Sequence, residues 1–359
     1  MSDSEERDHR LREDVNRLIE ERRGLGLEGR VGDLVCAVIN TEPDRLEPAA
    51  QDLLAHTGHE LADAFATDDR RAVVLTAPDS ADLLLQCRLR GDSPFAAVNR
   101  HPKSAHLPNT RLETLVFACD DVAEIARIQR GRGTRFLTDA PVTAGAWQFI
   151  QTTPSSRTGN SVGLIAWRGS ERRYRPDGAR DWNPSLSKPS RPHLANIGLL
   201  DHIATRVHAG DRDPAILEFM GLTNYTFDFA IYVPDLNSIT NVARLPGARF
   251  AQVFTSGIRR DGAGESGPTE EFIRNYGPRV HHMAFLTRDI ATTDRALRAD
   301  GLGFLSDLVG DEADGIRQSF SVPSPHTLLV NEYIERYRGF DGFFTTHNVT
   351  KLTRATAGQ

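Results

Sequence analysis

Two stretches of the chain, IGLLDHIATRV at residues 197–207 and RVHHMAFLTRDI at residues 279–290, decide the fold. Each stretch is strand-like, and the His-Ile-Ala of the first can be laid over the His-Met-Ala that follows 80 residues later. The same spacing places Gln252, in RFAQVFTSG, opposite Glu332, in TLLVNEYIER. A fixed spacing of this size indicates a duplicated unit that begins and ends with a strand.

The unit recurs in the first half of the chain, where copies begin at VGDLVCAVIN, residues 31–40, and at LETLVFAC, residues 112–119. Four copies in two pairs predict an α+β fold in which each pair of βαβββ units forms an open β-barrel. A proline-rich segment separates the pairs. We therefore predict an N-terminal domain at 1–170, a linker at 171–195 and a C-terminal catalytic domain at 196–359. Apolar spacing over residues 3–24 predicts an amphipathic helix that lies on the first domain.

The composition excludes several classes of protein. The 359 residues contain 43 Lys and Arg against 49 Asp and Glu, and this net charge of −6 argues against a nucleic-acid binder. The chain lacks a run of about 18 apolar residues, and its charged N-terminus lacks the apolar core of a signal peptide. We therefore expect a cytoplasmic protein. The three cysteines form no CxxC pair, so histidines and carboxylates are the candidate metal ligands.

Three candidate ligands occupy comparable elements of the last two units. His202 and His282 lie on first strands, and Glu332 lies on a last strand, so an open barrel could bring the three together. Two imidazoles and one carboxylate on one face of a metal leave three positions open, which suits non-haem Fe(II), although imidazole also binds zinc and nickel. Because neighbouring residues of a strand face opposite sides, we expect His281 to point away from His282. Thr114 falls at the position of His282 in the first half, where we expect no metal site.

Several spaced motifs carry a resemblance to a known family: LLDHIATRV around His202, LNS at 236–238, RVHHMAF around His282, RQSFS at 317–321, LLVNEYIER around Glu332 and GFDGFF at 339–344. In this order, over about residues 197–345, they resemble the catalytic domain of 4-hydroxyphenylpyruvate dioxygenase. That enzyme belongs to the vicinal oxygen chelate (glyoxalase/bleomycin resistance/extradiol dioxygenase) superfamily. The resemblance implies two vicinal oxygen chelate domains and a catalytic Fe(II) site made by His202, His282 and Glu332. It also implies a chelating 2-oxo acid substrate, which dioxygen oxidatively decarboxylates and hydroxylates.

The resemblance further implies a set of substrate-binding residues. Gln318 and Phe320 match a pocket glutamine and aromatic residue, Ser238 matches a pocket serine, and Phe340 falls on a C-terminal helix that gates the cavity. His281 stands where the family has a glutamine, and GPTEEF at 267–272 stands where it has a pair of glutamines. The metal triad is therefore kept while the substrate is unassigned, because fold and metal do not transfer substrate identity.

Other functions fit the same residues. An extradiol dioxygenase uses a similar triad on a catecholate, a glyoxalase-like isomerase uses zinc or nickel without oxygen, and a binding protein captures a small ligand without turnover. The expected partners are a small-molecule substrate, dioxygen and a further copy of the chain. His56 and His59 could also bind a metal, but a solvated surface pair on a helix is the simpler interpretation.

Overall fold

A computed structural model describes residues 3–169, 172–258, 266–340 and 342–359 of the chain. Its strands form one nine-stranded and one eight-stranded sheet. The elements of the first half of the chain are α1 (Asp3–Gly24), β1 (Val31–Thr41), α2 (Leu46–His56), β2 (Glu60–Ala66), β3 (Arg70–Thr76), β4 (Asp82–Arg88), β5 (Arg111–Cys119), α3 (Val122–Gly131), β6 (Val142–Ala144), β7 (Trp147–Gln151), β8 (Ser161–Trp167) and β9 (Arg180–Asp181).

The second sheet repeats this arrangement. Its elements are β10 (Ile197–Arg206), α4 (Arg212–Leu222), β11 (Thr226–Val233), β12 (Ser238–Arg244), β13 (Ala251–Ser256), α5 (Pro268–Tyr276), β14 (Arg279–Thr287), α6 (Ile290–Ala299), β15 (Val309–Asp311), β16 (Ile316–Phe320), β17 (Val330–Arg336) and α7 (Thr346–Ala355). Among these helices and those of the first half, none has the length and apolarity that crossing a bilayer requires.

Each sheet is built from two βαβββ units joined at their first strands, and the short β9 adds a ninth strand to the first sheet beside β2. The first strands pair antiparallel, β1 with β5 and β10 with β14. Each first strand also pairs in parallel with the last strand of its own unit, as β10 does with β13 and β14 with β17. The sheet order is therefore β6-β7-β8-β5-β1-β4-β3-β2-β9 in the first half and β11-β12-β13-β10-β14-β17-β16-β15 in the second. The predicted α+β fold of paired units is confirmed.

The register of the strands confirms the predicted match of His202 with His282 but not that of Gln252 with Glu332. His202 pairs with Ala284 and His282 pairs with Ala204, so the two histidines occupy equivalent positions of the central strand pair. Glu332 pairs with Ala284, whereas the residue that pairs with Ala204 is Val253. The predicted match of Gln252 with Glu332 is therefore wrong by one residue. Because side chains alternate along a strand, Gln252 faces the other side, where its Nε2 donates to Thr205 Oγ1 at 3.0 Å.

One continuous apolar core lies between the sheets and their helices and draws on both halves of the chain. Helix α1 contributes Leu11 and Val15 to it, but α1 packs against α4 and β11 of the second half rather than on the first domain as predicted. The buried Arg22 guanidinium explains this placement, since its Nη1 donates to the carbonyl oxygens of Met220 and Thr223 at 3.0 Å each. Those carbonyls lie at the C-terminal end of α4, where helix carbonyls need partners.

Candidate metal centre

Three ligand-type side chains meet on the concave face of the second sheet. His202 comes from β10, His282 from β14 and Glu332 from β17, and their ligand-type atoms all lie within 4.8 Å of one another. Glu332 Oε2 lies 3.1 Å from Nε2 of His202 and 3.2 Å from Nε2 of His282. The strand pairing produces this convergence. His202 and Glu332 both lie opposite Ala284, and His282 lies opposite Ala204, so each large side chain has a small neighbour on the adjacent strand.

Two β-bulges give each histidine a partner from the residue that precedes it. The register of β10 and β14 shifts between Leu200 and His202, which leaves Asp201 as the extra residue of a bulge. It shifts again so that His281 is the extra residue between Val280 and His282. A bulge breaks the alternation of side chains, so a residue and its neighbour can reach the same region. The prediction that His281 points away from His282 is therefore wrong.

The first bulge holds the ring of His202. Asp201 Oδ2 lies 2.8 Å from His202 Nδ1, and Arg336 donates to both Asp201 oxygens at 2.6 and 2.9 Å. Although burial would raise it, Arg336 and His202 keep the pKa of Asp201 below its usual value. The Asp201 carboxylate therefore accepts the Nδ1 proton and directs Nε2 toward the cavity. A carboxylate behind a ligand histidine is the usual way in which proteins orient such a ring for a metal.

The second bulge holds the ring of His282 through another histidine. His281 Nδ1 lies 2.8 Å from His282 Nδ1, and His281 Nε2 lies 2.7 Å from Oε1 of Gln359. Burial and the nearby Arg206 lower the pKa of His281 well below its ordinary value, so this ring is neutral. Because its Nε2–H donates to Gln359, its Nδ1 is the acceptor of the Nδ1–H of His282. The lone pair of His282 Nε2 is thus left to face Glu332.

Glu332 is fixed by a third set of contacts. Gln318 on β16 donates from Nε2 to Glu332 Oε1, and Asn348 on α7 donates to Gln318 Oε1 at 2.9 Å. Burial alone would raise the pKa of Glu332, but the adjacent His202 and His282 lower it below its usual range. The carboxylate is therefore ionised, with Oε1 held by an amide and Oε2 between the two imidazoles.

These residues fit a divalent metal ion. His202 Nε2 is buried and makes no hydrogen bond, although Glu332 Oε2 lies 3.1 Å away. A buried polar atom without a partner is rare in folded proteins and needs an explanation such as a bound ion. Imidazole nitrogen and carboxylate oxygen are ligands that Fe(II) and zinc both accept. The donor set is therefore suitable for a metal while leaving its identity open.

A cavity of about 50 Å³ adjoins this triad. It contains three of the five predicted substrate-binding residues, namely His281, Gln318 and Phe320. The Phe320 ring lies 4.8 Å from that of His282. The lining consists of Ala204, Arg206, Thr240, Val253, Thr255, His281, His282, Gln318, Phe320, Glu332, Phe344, Val349, Leu352 and Thr353.

The other two predicted substrate-binding residues lie outside this lining. Ser238 is fully buried at the start of β12, with its Oγ 3.2 Å from Oγ1 of Thr269. Phe340 is not on the C-terminal helix, because α7 begins only at Thr346; it lies in the preceding loop. Phe344 of the same GFDGFF motif reaches the cavity instead, with its ring 5.1 Å from that of His202. Both phenylalanines precede α7, and the spacing of the motif alone does not tell which of them lines the cavity.

Sequence reasoning missed two charged residues of the site. Asp201 directly precedes a candidate ligand, and Arg206 follows His202 by an even number of residues on the same strand. The period of a strand would have placed Arg206 on the cavity side. The bulge that turns Asp201 toward His202 has no comparable signal in the sequence.

The first sheet carries different residues at the equivalent positions. Its pairing places Cys36 at the position of His202, Thr114 at that of His282 and Gly163 at that of Glu332, which confirms the predicted position of Thr114. A Cβ atom on Gly163 would lie 2.8 Å from the Phe149 ring, so a side chain would have no room there. The concave face of this sheet lines a cavity of about 620 Å³.

Comparison with known proteins supports the fold. No family model matches the chain, and no curated protein matches it by sequence. A mutant of 4-hydroxymandelate synthase from Streptomyces coelicolor superposes with a TM-score of 0.66 at 22% identity, over 90% of this chain and 99% of that one. A xylose isomerase-like TIM barrel/4-hydroxyphenylpyruvate dioxygenase fusion protein gives a TM-score of 0.58 at 13% identity, over 92% of this chain and 52% of that one. The chain thus has the vicinal oxygen chelate fold that its motifs predict.

Proposed function

We propose that the chain is a non-haem Fe(II)-dependent dioxygenase that oxidatively decarboxylates and hydroxylates a 2-oxo acid or a similar chelating substrate. The observation that carries this proposal is the set of two imidazoles and one carboxylate, with His202 and Glu332 buried, His282 half-buried and all ligand-type atoms within 4.8 Å of one another. Three protein ligands on one side of an octahedral ion leave the other side for substrate and dioxygen. The likeness in fold to a hydroxymandelate synthase agrees with this proposal, which depends on the site because fold alone does not define a reaction.

In this proposal His202, His282 and Glu332 hold the metal, and Asp201, His281 and Gln318 hold the ligands. Fe(II), when bound, supplies sites at which a 2-oxo acid chelates and dioxygen is activated. The protein's own part is orientation. The Nδ1 contacts of the two histidines keep both Nε2 lone pairs turned to one point, and Gln318 prevents rotation of the Glu332 carboxylate.

The apolar part of the cavity would orient the substrate and exclude water. Phe320 on β16 contacts the ring of His282, and Phe344 in the loop before α7 contacts the ring of His202. A cavity of about 50 Å³ is small against the roughly 300–1,000 Å³ of ordinary ligand pockets. Because Val349, Leu352 and Thr353 of α7 form one wall, we propose that α7 moves to admit the substrate and then closes over it.

The proposal is tested with metal-free protein loaded anaerobically with Fe(II), Mn(II) or Zn(II). Oxygen uptake, carbon dioxide release, substrate consumption and substrate binding are then measured against a panel of 2-oxo acids, catechols and thiohemiacetals of 2-oxoaldehydes. We expect coupled uptake and release with a 2-oxo acid in the Fe(II) form only. Uptake with catechols alone would indicate an extradiol enzyme, turnover without oxygen a glyoxalase-like isomerase, and binding without turnover a ligand-binding protein; each result contradicts the proposal.

A further inference from the structure

One buried cation faces the candidate metal centre. Arg206 ends β10 and lies on the same side of that strand as His202 and Ala204, because alternate residues share a face. The residue is 4% exposed and lines the same cavity as His282 and Glu332. The guanidinium therefore shares one small cavity with two of the three candidate ligands.

The partners of Arg206 are all neutral. Its Nη2 donates to Thr356 Oγ1 at 2.7 Å, its Nη1 lies 3.4 Å from the carbonyl oxygen of Pro268, and its guanidinium stands 4.6 Å from the centre of the Phe272 ring. Among the described residues, no carboxylate forms an ion pair with it. Burial lowers the pKa of Arg206 to about 9, which still leaves the group charged at neutral pH.

Other buried and half-buried arginines of the chain have different partners. Arg336 pairs with Asp201, Arg212 with Asp8 and Arg88 with Glu113, so each has a carboxylate. Arg111 and Arg279 donate to backbone carbonyls and lie away from the cavity lining. Arg206 alone among these combines a position on the cavity wall with the lack of an acidic partner in the described residues.

The charges around the cavity indicate that the site needs one more negative charge than a single chelating carboxylate supplies. A divalent metal would bring two positive charges, of which Glu332 neutralises one, and Arg206 adds another. The pair of Asp201 and Arg336 behind His202 is neutral in sum. A substrate that chelates the metal through one carboxylate would leave one positive charge unmatched. Leaving a charge buried and unpaired is strongly unfavourable.

We propose that Arg206 binds a second anionic group of the substrate, so that the substrate is a dianion with a chelating end and a distal carboxylate or similar group. This inference rests on the proposed function for the chelating end only. Arg206 is then the residue that determines specificity. Its bond to Thr356, near the end of α7, would couple the arrival of the anion to closure of that helix.

The first test uses two matched probes, 2-oxoglutarate and 2-oxopentanoate, which share a five-carbon 2-oxo acid chain and differ only in the distal carboxylate. Binding to the anaerobic Fe(II) protein is followed by the visible charge-transfer absorption of a chelated 2-oxo acid. We expect the dianion to bind about tenfold or more tightly than the monoanion, since close charge pairs in protein sites contribute at least about that factor. In Arg206→Met this preference should fall to about twofold or less with monoanion affinity retained, and Arg206→Lys should keep part of it.

The second test needs no metal. Succinate should raise the melting temperature of the metal-free wild-type protein above the effect of sodium chloride at equal ionic strength, and Arg206→Met should abolish this increase. Arg279→Met, which removes a buried cation away from the cavity lining, should keep it. If neither acid gives the absorption band but succinate still acts through Arg206, the proposed function fails and the anion site stands. Equal binding of both acids by the wild type, or no difference between wild type and Arg206→Met in either test, overturns the inference.

Discussion

The contact between Asp201 and His202 gives a quantitative prediction about metal affinity. In Asp201→Asn the group that accepts the proton of His202 Nδ1 at 2.8 Å loses its negative charge. The side-chain NH2 group of the asparagine then faces an N–H group of Arg336, so one of the two hydrogen bonds from Arg336 is lost. Loss of such a carboxylate behind a ligand histidine typically weakens metal binding about 10- to 100-fold, or about 1.4–2.8 kcal/mol. Arg336 is only 16% exposed, so the loss of one of its two contacts with the carboxylate should also lower the free energy of unfolding, by about 1–3 kcal/mol.

Metal affinity is measured anaerobically by competition with a chromogenic chelator, and stability by urea unfolding. Asp294→Asn is the matched control, because Asp294 is similarly buried and pairs with Arg298 at 2.7 Å on α6, away from the cavity lining. The control should lose stability and keep its metal affinity. If Asp201→Asn binds metal as tightly as the wild type, then the carboxylate does not orient His202 and the reasoning about the bulge is wrong.

Two further predictions concern stability. Burial lowers the pKa of His59 to about 4, so below pH 6.5 the unfolded state binds the proton first and stability should fall by about 3 kcal/mol down to pH 4. Urea unfolding across this range should show the loss in the wild type and a smaller one in His59→Gln; identical pH profiles would contradict it. Gly163→Ala should lower the free energy of unfolding by about 1–3 kcal/mol, because its Cβ would lie 2.8 Å from the Phe149 ring. Metal affinity should not change, since Gly163 lies in the other sheet, and a shift in affinity would contradict this separation.

The repeated unit could be predicted because similar strand motifs recur at a fixed spacing along the sequence. His202 and His282 occupy equivalent positions on paired first strands, and the motif around Glu332 places that residue on the adjacent last strand. The match of Gln252 with Glu332 is wrong because the two copies differ by one residue in the distance from the first strand to the last, so the residue equivalent to Glu332 is Val253. A slip of one residue exchanges the two faces of a strand, which sequence spacing cannot reveal.

The polar surroundings of the triad were less predictable. Asp201 and His281 reach the ligand histidines only because each is the extra residue of a bulge, and the sequence carries no marker of either bulge. His59 is fully buried rather than solvated, since the loop after α2 packs on the second half and its ring lies 5.8 Å from that of Phe285. Contacts of this kind depend on how the halves pack, which local patterns do not contain.

The iron content of the loaded protein tests the central claim most directly. Wild-type protein is incubated anaerobically with excess Fe(II), freed of unbound ions and subjected to elemental analysis beside Glu332→Gln and the control Glu335→Gln. Glu335 lies on the same strand but binds the start of α6 through backbone N–H groups. We predict close to one iron per chain in the wild type and the control, and almost none in Glu332→Gln. Full iron content in a folded Glu332→Gln variant would contradict the assignment of His202, His282 and Glu332 as the metal site.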